Sequence, residues 1–340
     1  KKIKTEVFIV DNNSVDGSIE MIESKFPKYK LIKNKKNVGF SRANNQAIKK
    51  AKGKYILLLN PDTLLEEDTL NKCILFMRKK KNIGGLGVKM IDGNGNFLPE
   101  SKRSFPSPVI AFYKIFGLSY IFPNSKTFGQ YHLSYLDENK IHEVDVLSGA
   151  FFLTKKNVIK KVGLLDEKFF MYGEDIDLSY RIKNAGYKNY YLPKTKIIHY
   201  KGESTKKGSM NYVYLFYKAM SIFSNKHFKG KNALFFYFII HFAIYFRATI
   251  SVLKRFFEET IYTLIDILII YFGSNLLKIS WEKYSFNLIG EQKILPTEYM
   301  SVVVPICIAI SIFFIFLNKG YEKYVKINKI IKGTLIASII

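Results

Sequence analysis

Residues 54–62 read Lys-Tyr-Ile-Leu-Leu-Leu-Asn-Pro-Asp, and this stretch decides how we interpret the first two hundred residues. The continuous apolar run from Lys54 to Leu59 is typical of a strand buried on both faces. Pro61 has no backbone N–H to donate, so the predicted strand ends before it. Asp62 therefore lies just past the carboxyl end of a strand, where ligands bind in open α/β sheets.

Strand and helix patterns alternate around this stretch. The order predicts an α/β domain with a parallel sheet. The polar turns after the first and third strands would both lie at strand carboxyl ends, so they can face one crevice. The predicted segments are the buried strand Val7–Val10, a helix at Ile19–Lys25, a strand at Lys30–Ile32, a helix ending near Ala51, and a helix at Glu66–Lys80.

The middle of the chain is less regular. Asp92 to Asn96 is a hairpin turn signal. Pro99 to Tyr135 has little periodicity, and we expect it to form a long excursion over the site. Val144 to Leu153 is predicted as one strand, interrupted by Ser148-Gly149-Ala150. A helix at Glu174–Ala185 and strand-like segments at 187–192 and 196–199 complete the domain.

The tail has a different composition. Residues 212–226 are dense enough in Tyr, Leu, Phe and Met for an interfacial amphipathic helix. Three apolar runs follow, at 233–253, 261–277 and 299–317, and the start of another at 334. The last complete run approaches the ~20 residues that cross a bilayer. The tail could span a membrane, lie on its surface, or form an apolar helical subdomain; we favour spans.

The net charge of +25 admits three interpretations. One is nucleic-acid binding, but the basic residues are scattered and follow no known DNA-binding motif. Another is attraction to anionic lipid on the cytoplasmic face of a membrane. The third is a Lys-rich solvated surface. We rank nucleic acid below the other two and predict no nucleic-acid partner.

The two cysteines and the two chain ends add little to the prediction of fold and function. Cys73 and Cys307 are far apart, which gives no disulfide framework or metal spacing and fits a reducing cytoplasm. The chain starts at Lys1, shortly before its first strand, and stops in an apolar run. We expect residues to be missing ahead of that strand.

Asp62 and His199 are the candidate metal ligands. A divalent cation that bridges a nucleotide diphosphate needs hard oxygen ligands, and a carboxylate at a strand end can supply one. The alternative for Asp62 is an N-cap of the helix beginning near Glu66, or a turn residue after Pro61. His199 closes a strand-like run, and a lone histidine is usually structural. It becomes a ligand only if the fold brings it beside Asp62.

Three acids, Glu174, Asp175 and Asp177, begin a predicted helix directly after an aromatic run. Sugar transfer to a hydroxyl needs a base to remove the acceptor proton, and such a carboxylate is suitable. The alternative is an acidic helix start that favours the helix dipole, with Asp177 and Arg181 paired at i, i+4.

Two polar turns and one group of small residues are further candidates. The turns at 11–14 and 37–44 suit hydrogen bonds to a base and ribose, or are plain turn chemistry. Gly149 and Ala150 allow close approach of a ligand, or mark a bulge. We place Gly149, Ala150 and Arg181 in the acceptor or sugar pocket.

Taken together, these segments resemble family 2 glycosyltransferases with a GT-A fold, and most closely the bacterial rhamnosyltransferase-type enzymes of surface-polysaccharide synthesis. They follow the family's order over residues 1 to about 205. The matching stretches are Val10-Asp11-Asn12-Asn13-Ser14-Val15-Asp16-Gly17-Ser18, Asn37-Val38-Gly39-Phe40 through Asn44, Leu57-Leu58-Leu59-Asn60-Pro61-Asp62-Thr63, Leu147-Ser148-Gly149-Ala150, Met171-Tyr172-Gly173-Glu174-Asp175-Ile176-Asp177-Leu178, and His199.

The resemblance implies a role for each motif. Asp175 would be the catalytic base and Glu174 would orient the acceptor. Asp62 would hold Mg²⁺ or Mn²⁺, with His199 as a further ligand. The donor-binding residues would be Asp11 and Asn12 at the base, Asn37, Gly39 and Asn44 around the nucleotide, and Asp62.

The resemblance also implies a mixed, Rossmann-like sheet and an inverting reaction. Asn60 departs from the family by replacing the first acid of its Asp-x-Asp motif. The family's Gln-x-x-Arg-Trp motif is absent, so a processive synthase ranks low. The expected domains are a transferase domain at 1–207, an interfacial helix or linker at 208–230, and a transmembrane region at 231–340.

The predicted function is metal-dependent transfer of a sugar from a UDP- or dTDP-sugar to a lipid-linked or growing glycan acceptor. We expect this to occur at a bacterial inner membrane, with the catalytic domain cytoplasmic. The alternative from another class is a non-catalytic membrane scaffold that keeps the nucleotide pocket; the intact acids Glu174, Asp175 and Asp62 argue against it.

Overall fold

The computed structural model describes residues 3–200, 210–228, 231–289, 295–318, 320 and 327–339. The chain divides into two compact units, Lys1–Ile244 and Tyr245–Ile340. The first unit contains strands and helices in mixed order and the second is helical. This confirms the predicted class, an α/β domain with a mixed sheet followed by an α-helical tail.

The first unit carries all eight strands found among the described residues. The strands are β1 (Phe8–Asp11), β2 (Lys30–Lys33), β3 (Tyr55–Leu59), β4 (Thr63–Leu65), β5 (Ile83–Ile91), β6 (His142–Val144), β7 (Phe151–Lys155) and β8 (Lys188–His199). Its helices are α1 (Ser18–Lys25), α2 (Phe40–Lys50), α3 (Thr69–Lys79), α4 (Pro108–Ile115), α5 (Leu118–Ile121), α6 (Lys156–Val162), α7 (Glu174–Asn184) and α8 (Met210–His227).

The strands form two sheets. β1 and β2 pair in parallel as a two-stranded sheet. The larger sheet has the order β3-β7-β5-β8-β4, with β6 paired to β8 at one side. Only β5 and β8 pair in parallel within it; its other pairs are antiparallel. The larger sheet is therefore mixed, and the purely parallel sheet suggested by the strand–helix alternation is wrong.

Two apolar clusters cover the larger sheet. One packs α3 against β5 and β8, with Cys73, Met77 and Leu86 fully buried. The other packs α6 and α7 against the sheet, with Phe152 and Ile182 fully buried. The glycines of β5 make this closeness possible, because a Cβ at Gly84 would lie 2.4 Å from a methyl carbon of Ile182. The sheet is thus held rigidly between helices on both sides.

Three predicted segments differ from the structure. The apolar residues of β1 are half-buried rather than buried on both faces, because β1 has a single neighbouring strand. The segment 144–153 is not one strand: β6 pairs β8, whereas β7 pairs β3 and β5, and the chain turns between them. The helix expected from Glu66 begins at Thr69, because residues 63–65 form β4 on the edge of β8.

Helix α8 packs onto α7 rather than standing apart from the domain. Ala219, Met220 and Phe223 are buried with Phe169 and Ile176. The helix is the segment expected to be interfacial, and the first unit extends past it to Ile244. Residues 201–209, which connect it to β8, lie outside the described residues. The lipid contact of α8 stays a prediction.

The tail is built of long apolar helices, α9 (Lys231–Ile289), α10 (Val304–Leu317) and α11 (Ile327–Ile339). Two stretches are long and apolar enough to cross a membrane, Thr260–Leu288 and Tyr299–Leu317, and they overlap the spans expected at 261–277 and 299–317. The span expected at 233–253 falls within α9, and the one expected from 334 falls within α11. The domain boundaries and the crossing itself stay predictions.

Replacing Phe223 with Ala tests the packing of α8 on α7. The free energy of unfolding should fall by about 3–5 kcal/mol, because a fully buried phenylalanine leaves a cavity when it is truncated. Chemical denaturation of the detergent-solubilised chain measures the change. Leu75→Ala is the control, since Leu75 is exposed on α3 and should cost less than about 0.5 kcal/mol. Equal losses in both variants would show that α8 contributes no packing.

Candidate functional site

Asp62 and His199 lie side by side at one edge of the larger sheet. β4 pairs with the end of β8 so that Thr63 is opposite His199, which places the preceding Asp62 next to the imidazole. Asp62 Oδ1 is 3.3 Å from His199 Nε2, and both side chains are largely buried. The sequence left open whether the fold brings His199 beside Asp62, and the structure places the two side chains in contact.

A further polar group, the carboxamide of Asn60, lies two positions before Asp62 in the chain. Within the described part of the chain, its oxygen Oδ1 is buried and accepts no hydrogen bond. Buried polar atoms without partners are rare, and each calls for an explanation such as an ion or ligand. Carboxylate and amide oxygens with an imidazole nitrogen form a donor set that suits Mg²⁺ or Mn²⁺. The residues present therefore fit a divalent cation.

Asp175 lies at the first turn of α7, in a dense set of hydrogen bonds. Its Oδ2 accepts from Arg103 Nη2 at 2.5 Å and from the Gly149 backbone N–H at 3.2 Å. Its Oδ1 accepts from the backbone N–H of Ile176 at 2.8 Å. All three of these hydrogen bonds come from donors, so the carboxylate is held in one orientation.

Gly149 and Ala150 connect the Asp62 edge to Asp175. The carbonyl of Ala150 accepts a hydrogen bond from the backbone N–H of Asn60 at 3.0 Å. A Cβ at Gly149 would lie 3.5 Å from Glu174 Oε1, so a side chain there would fill space beside that carboxyl group. The turn that interrupts the predicted strand thus places the Asp62 strand end and the acids of α7 on one continuous surface.

Glu174 is a buried carboxyl group with one unused oxygen. The residue is 7% exposed, and within the described chain its Oε2 has no hydrogen-bond partner. Burial, and then the neighbouring charge of Asp175, raise the pKa of Glu174 to about 8. At neutral pH the group is therefore mostly protonated and can donate a hydrogen bond, whereas Asp175 beside it can accept one.

Arg103 is the site residue that the sequence analysis missed. It lies in the predicted excursion, 72 positions before Asp175, and its guanidinium also donates to the Leu147 carbonyl. Both partners of the ion pair are about 13% exposed, so the charges are well shielded from water. No pattern in the sequence signals the pairing, because it depends on how an aperiodic segment folds over the sheet.

Asp177 and Arg181 form a structural pair. Asp177 is fully buried and accepts hydrogen bonds from Arg181 Nε at 2.8 Å and from His227 Nε2 at 2.7 Å. Lys226 lies 2.8 Å from the same carboxylate. Arg181 also donates to the carbonyls of residues 162–164. These contacts use four of the five N–H groups of its guanidinium, and its place in the acceptor or sugar pocket stays a prediction.

The two turns expected to bind the donor contact each other. Asn12 donates from Nδ2 to the Gly39 carbonyl, and its Oδ1 accepts from Asn34. Asp11 is buried and its Oδ2 accepts two backbone N–H groups of its own turn. Asn37 accepts from the Gly39 N–H, and Asn44 donates to the Phe40 carbonyl. Many of these polar groups therefore stabilise the turns themselves, which agrees with the alternative interpretation of the two segments as plain turns.

The second of these turns is seated on the loop before α7. The Phe40 N–H donates to the Phe170 carbonyl at 2.7 Å, and Ser41 Oγ donates to the Phe169 carbonyl. Gly39 has φ +87°, and a Cβ there would lie 2.8 Å from Phe170. Glycine is needed at this point, and the contact brings the turn at 37–40 towards the acids of α7.

The Phe170 loop ends in strained backbone. Tyr172 has φ +66°, in the left-handed region that non-glycine residues rarely adopt, and Gly173 follows with φ +83°. Such strain concentrates at functional sites, where the surrounding structure enforces it. Here it turns the chain sharply from the aromatic run into α7, so that Glu174 and Asp175 begin the helix at the surface described above.

Comparison with known proteins shows which proteins this chain resembles. The family described as Glycosyl transferase family 2 matches residues 1–163. The chain is 25% identical over 229 residues to the N-acetylglucosaminyl-diphospho-decaprenol L-rhamnosyltransferase of Mycobacterium tuberculosis, covering 64% of this chain and 73% of that protein. It is 31% identical over 169 residues to the rhamnosyltransferase WbbL of Escherichia coli K12, covering 48% of this chain and 61% of that one.

Two solved structures are also similar. GalNAc-T7 with UDP, GalNAc and Mn²⁺ aligns with a TM-score of 0.45 and 16% identity, over 66% of this chain and 46% of that chain. The Pyrobaculum calidifontis mannosyltransferase PcManGT with GDP-Man and Mn²⁺ aligns with a TM-score of 0.43 and 17% identity, over 69% and 59%. The family match and the mixed sheet agree with the GT-A fold expected from the motifs.

A pH series on Glu174→Gln tests the buried protonated carboxyl. The pKa of Glu174 is raised by folding, so its contribution to stability is present at low pH and is lost as pH rises from about 4.5 to about 8. Glutamine cannot ionise and should raise the thermal midpoint at about pH 9 more than at about pH 5. The control Glu143→Gln alters an exposed carboxylate; if it gives the same trend, the burial argument fails.

Proposed function

Since the chain is a family 2 glycosyltransferase over residues 1–163, related to rhamnosyltransferases, we propose that it moves a sugar from a UDP- or dTDP-sugar to a lipid-linked or growing glycan acceptor. The single observation that carries the proposal is the Asp175 carboxylate, which is fixed by hydrogen bonds on one side and adjoins the Asp62 edge through Gly149 and Ala150.

Asp175 is the proposed catalytic base. The acceptor hydroxyl gives its proton to the carboxylate while its oxygen bonds to the anomeric carbon of the donor sugar. The bond from that carbon to the diphosphate breaks in the same step, and the anomeric configuration inverts. Arg103 is a positioning residue here, because its hydrogen bond holds Oδ2 in place.

Glu174 is proposed to orient the acceptor. Its buried carboxyl lies beside Asp175 and faces the space that Gly149 leaves open. A protonated carboxyl donates a hydrogen bond, so it can bind a ring or hydroxyl oxygen of the sugar without repelling Asp175. The two carboxyl groups therefore have different roles: Asp175 takes up the proton, and Glu174 donates a hydrogen bond that orients the sugar.

Asp62 and His199 are the proposed ligands of Mg²⁺ or Mn²⁺, with Asn60 Oδ1 as a neighbouring oxygen. When bound, a divalent cation offsets the charge that gathers on the departing diphosphate. Among the described residues no group of three or more His, Cys, Asp or Glu side chains could hold a metal, so the remaining ligands would be donor phosphate oxygens and water.

The turns at 11–14 and 37–44 are the proposed donor-binding residues. Asp11, Asn12, Asn37, Gly39 and Asn44 surround the contact between the two turns. Backbone and amide groups in such turns suit the hydrogen-bonding edges of a pyrimidine base and its ribose. Their interlocked geometry supports a preformed site, which lowers the entropy cost of binding.

The apolar tail supports action at a membrane. Thr260–Leu288 and Tyr299–Leu317 are long and apolar enough to cross a bilayer, and the chain has a net charge of +25. Nucleotide-sugars are cytoplasmic, so we place the catalytic unit on the cytoplasmic side of a bacterial inner membrane. A lipid-linked acceptor explains why a transferase would be tethered there; the relative from M. tuberculosis is named for a decaprenol-linked acceptor.

Asp175→Asn tests the base. Transfer should fall by at least about 10³-fold, because the amide cannot take the acceptor proton, while donor binding stays within a factor of about three. Radiolabelled sugar transfer measures the first quantity, and calorimetry with the nucleoside diphosphate measures the second. Asp68→Asn, at an exposed helix N-cap, is the matched control. Full turnover by the Asp175 variant would remove that residue as base.

Asp62→Ala and His199→Ala test the metal ligands. Each should weaken Mn²⁺-dependent binding of UDP or dTDP by about tenfold or more, because a first ligand to the cation is lost. Calorimetry with and without EDTA measures the metal-dependent part. His142→Ala is the control, since that exposed ring contacts only the Asp137 carbonyl among the bonds found for it. Binding unchanged by EDTA in the unsubstituted chain would overturn the metal proposal.

A further inference from the structure

An exposed apolar surface lies on the excursion between β5 and β6. Tyr120 is 89% exposed and Ile121 is 61% exposed, although both belong to an apolar helix, α5. We call the exposed side chains of α4, α5 and the residue after them the aromatic surface. It consists of Val109, Phe112, Phe116, Tyr120, Ile121 and Phe122.

The aromatic surface is built into the fold rather than left by a loose loop. Ser107 caps α4 by accepting from the Ile110 N–H, and Pro108 begins the helix. Phe112 and Phe116 lie with ring centroids 4.4 Å apart on successive turns. Phe116 also stacks on Phe242 of α9, within the first unit. The rings are therefore held in one orientation while remaining exposed.

The charge of this segment is one-sided. From Ser101 to Leu136 the sequence contains no Asp or Glu, and it contains Lys102, Arg103, Lys114 and Lys126. Lys126 lies on its exposed part, whereas the Lys114 ammonium is held over the ring of Tyr131. Aromatic and aliphatic side chains with flanking cations and no acids are the composition of segments that enter the headgroup region of an anionic bilayer.

The beginning of the same segment, at Arg103, lies in the proposed active site. Arg103 donates to Asp175, and Ser104 donates from its N–H to the Tyr131 carbonyl, which ties the two ends of the segment together. Tyr131 is buried and lies under Lys114, with the ammonium 3.3 Å from its ring centroid. One compact segment therefore carries an apolar outer surface and a residue that touches the base.

Two occupants could cover such a surface, a bilayer or a second copy of the chain. The exposed charge of Lys126, in a segment without acids, opposes a symmetric contact between copies but favours anionic headgroups. Two stretches of the same chain are long and apolar enough to cross a membrane, which would keep a bilayer within constant reach. These observations favour the bilayer.

We propose that the aromatic surface docks into the headgroup region of an anionic bilayer and that the acceptor reaches Asp175 from this side. The contact with lipid stands on exposure, composition and charge alone. The statement about the acceptor rests on the proposed function. Because Arg103 of the same segment contacts Asp175, docking of the aromatic surface would place the base on the side from which a lipid-linked acceptor enters.

Fluorescence quenching by brominated lipid tests the contact. The full chain carries Trp281→Phe to remove its single tryptophan, and Tyr120→Trp adds one reporter. In nanodiscs of equimolar brominated phosphatidylcholine and phosphatidylglycerol, this reporter should be quenched several-fold more than Leu75→Trp. Leu75 is the matched control because it is a comparably apolar exposed residue on α3. Replacing phosphatidylglycerol with phosphatidylcholine should weaken the quenching.

Equal quenching of the two reporters would overturn the proposal, as would an unquenched Tyr120→Trp. An unquenched reporter whose emission changes on dilution of the chain would instead assign the surface to a second copy. Quenching that stays the same when phosphatidylglycerol is replaced with phosphatidylcholine would overturn the role of the positive charge. Tyr120 is almost fully exposed, so its substitution should not disturb folding, and circular dichroism checks this.

A kinetic comparison tests the acceptor statement. The double variant Tyr120→Ser, Ile121→Ser should raise KM for a membrane-embedded lipid-linked acceptor by at least about tenfold, and leave kcat/KM for a water-soluble short-chain analogue unchanged. Equal losses with both acceptors would overturn entry from the membrane side. If the unsubstituted chain transfers sugar to neither acceptor, the proposed function fails, while the quenching result stands by itself.

Discussion

The half-buried carboxylate of Asp175 is the point on which the site depends. A charge shielded from water is stable only when donors surround it, and here they come from three segments far apart in sequence: Arg103 of the excursion, Gly149 of the small-residue turn, and Ile176 of α7. Satisfying one carboxylate thus fixes the excursion, the turn and the helix relative to each other.

The neighbouring carboxyl group, that of Glu174, is buried in a different environment. Glu174 is more deeply buried than Asp175, and the Arg103 guanidinium bonds Asp175 rather than Glu174. Burial, and then the neighbouring charge of Asp175, raise the pKa of Glu174. In the proposed function Glu174 donates a hydrogen bond and Asp175 accepts the proton.

Helix α8 packs against the side of α7 that carries Ile176 and Asp177. Asp177 is fully buried and pairs with Arg181, Lys226 and His227, and Phe223 of α8 packs against α7. The acidic run Glu174–Asp177 thus serves two purposes. Its first two acids face the site, and the third fastens the helix to the segment that precedes the apolar tail. The sequence analysis explained Asp177 by its pair with Arg181, which the structure has at 2.8 Å.

Local periodicity and turn residues encode the α/β class, the order of the motifs, the strand that ends at Leu59 and the helix that starts at Glu174, so all of these could be predicted from the sequence. The sequence left open the meeting of Asp62 with His199, which needs the antiparallel register of β4 and β8. The sequence analysis missed β4 and the bond from Arg103 to Asp175, and strand–helix alternation alone suggested a parallel sheet where the resemblance implied the mixed one. These features follow only from the tertiary structure, since strand pairing and burial depend on contacts between residues far apart in the chain.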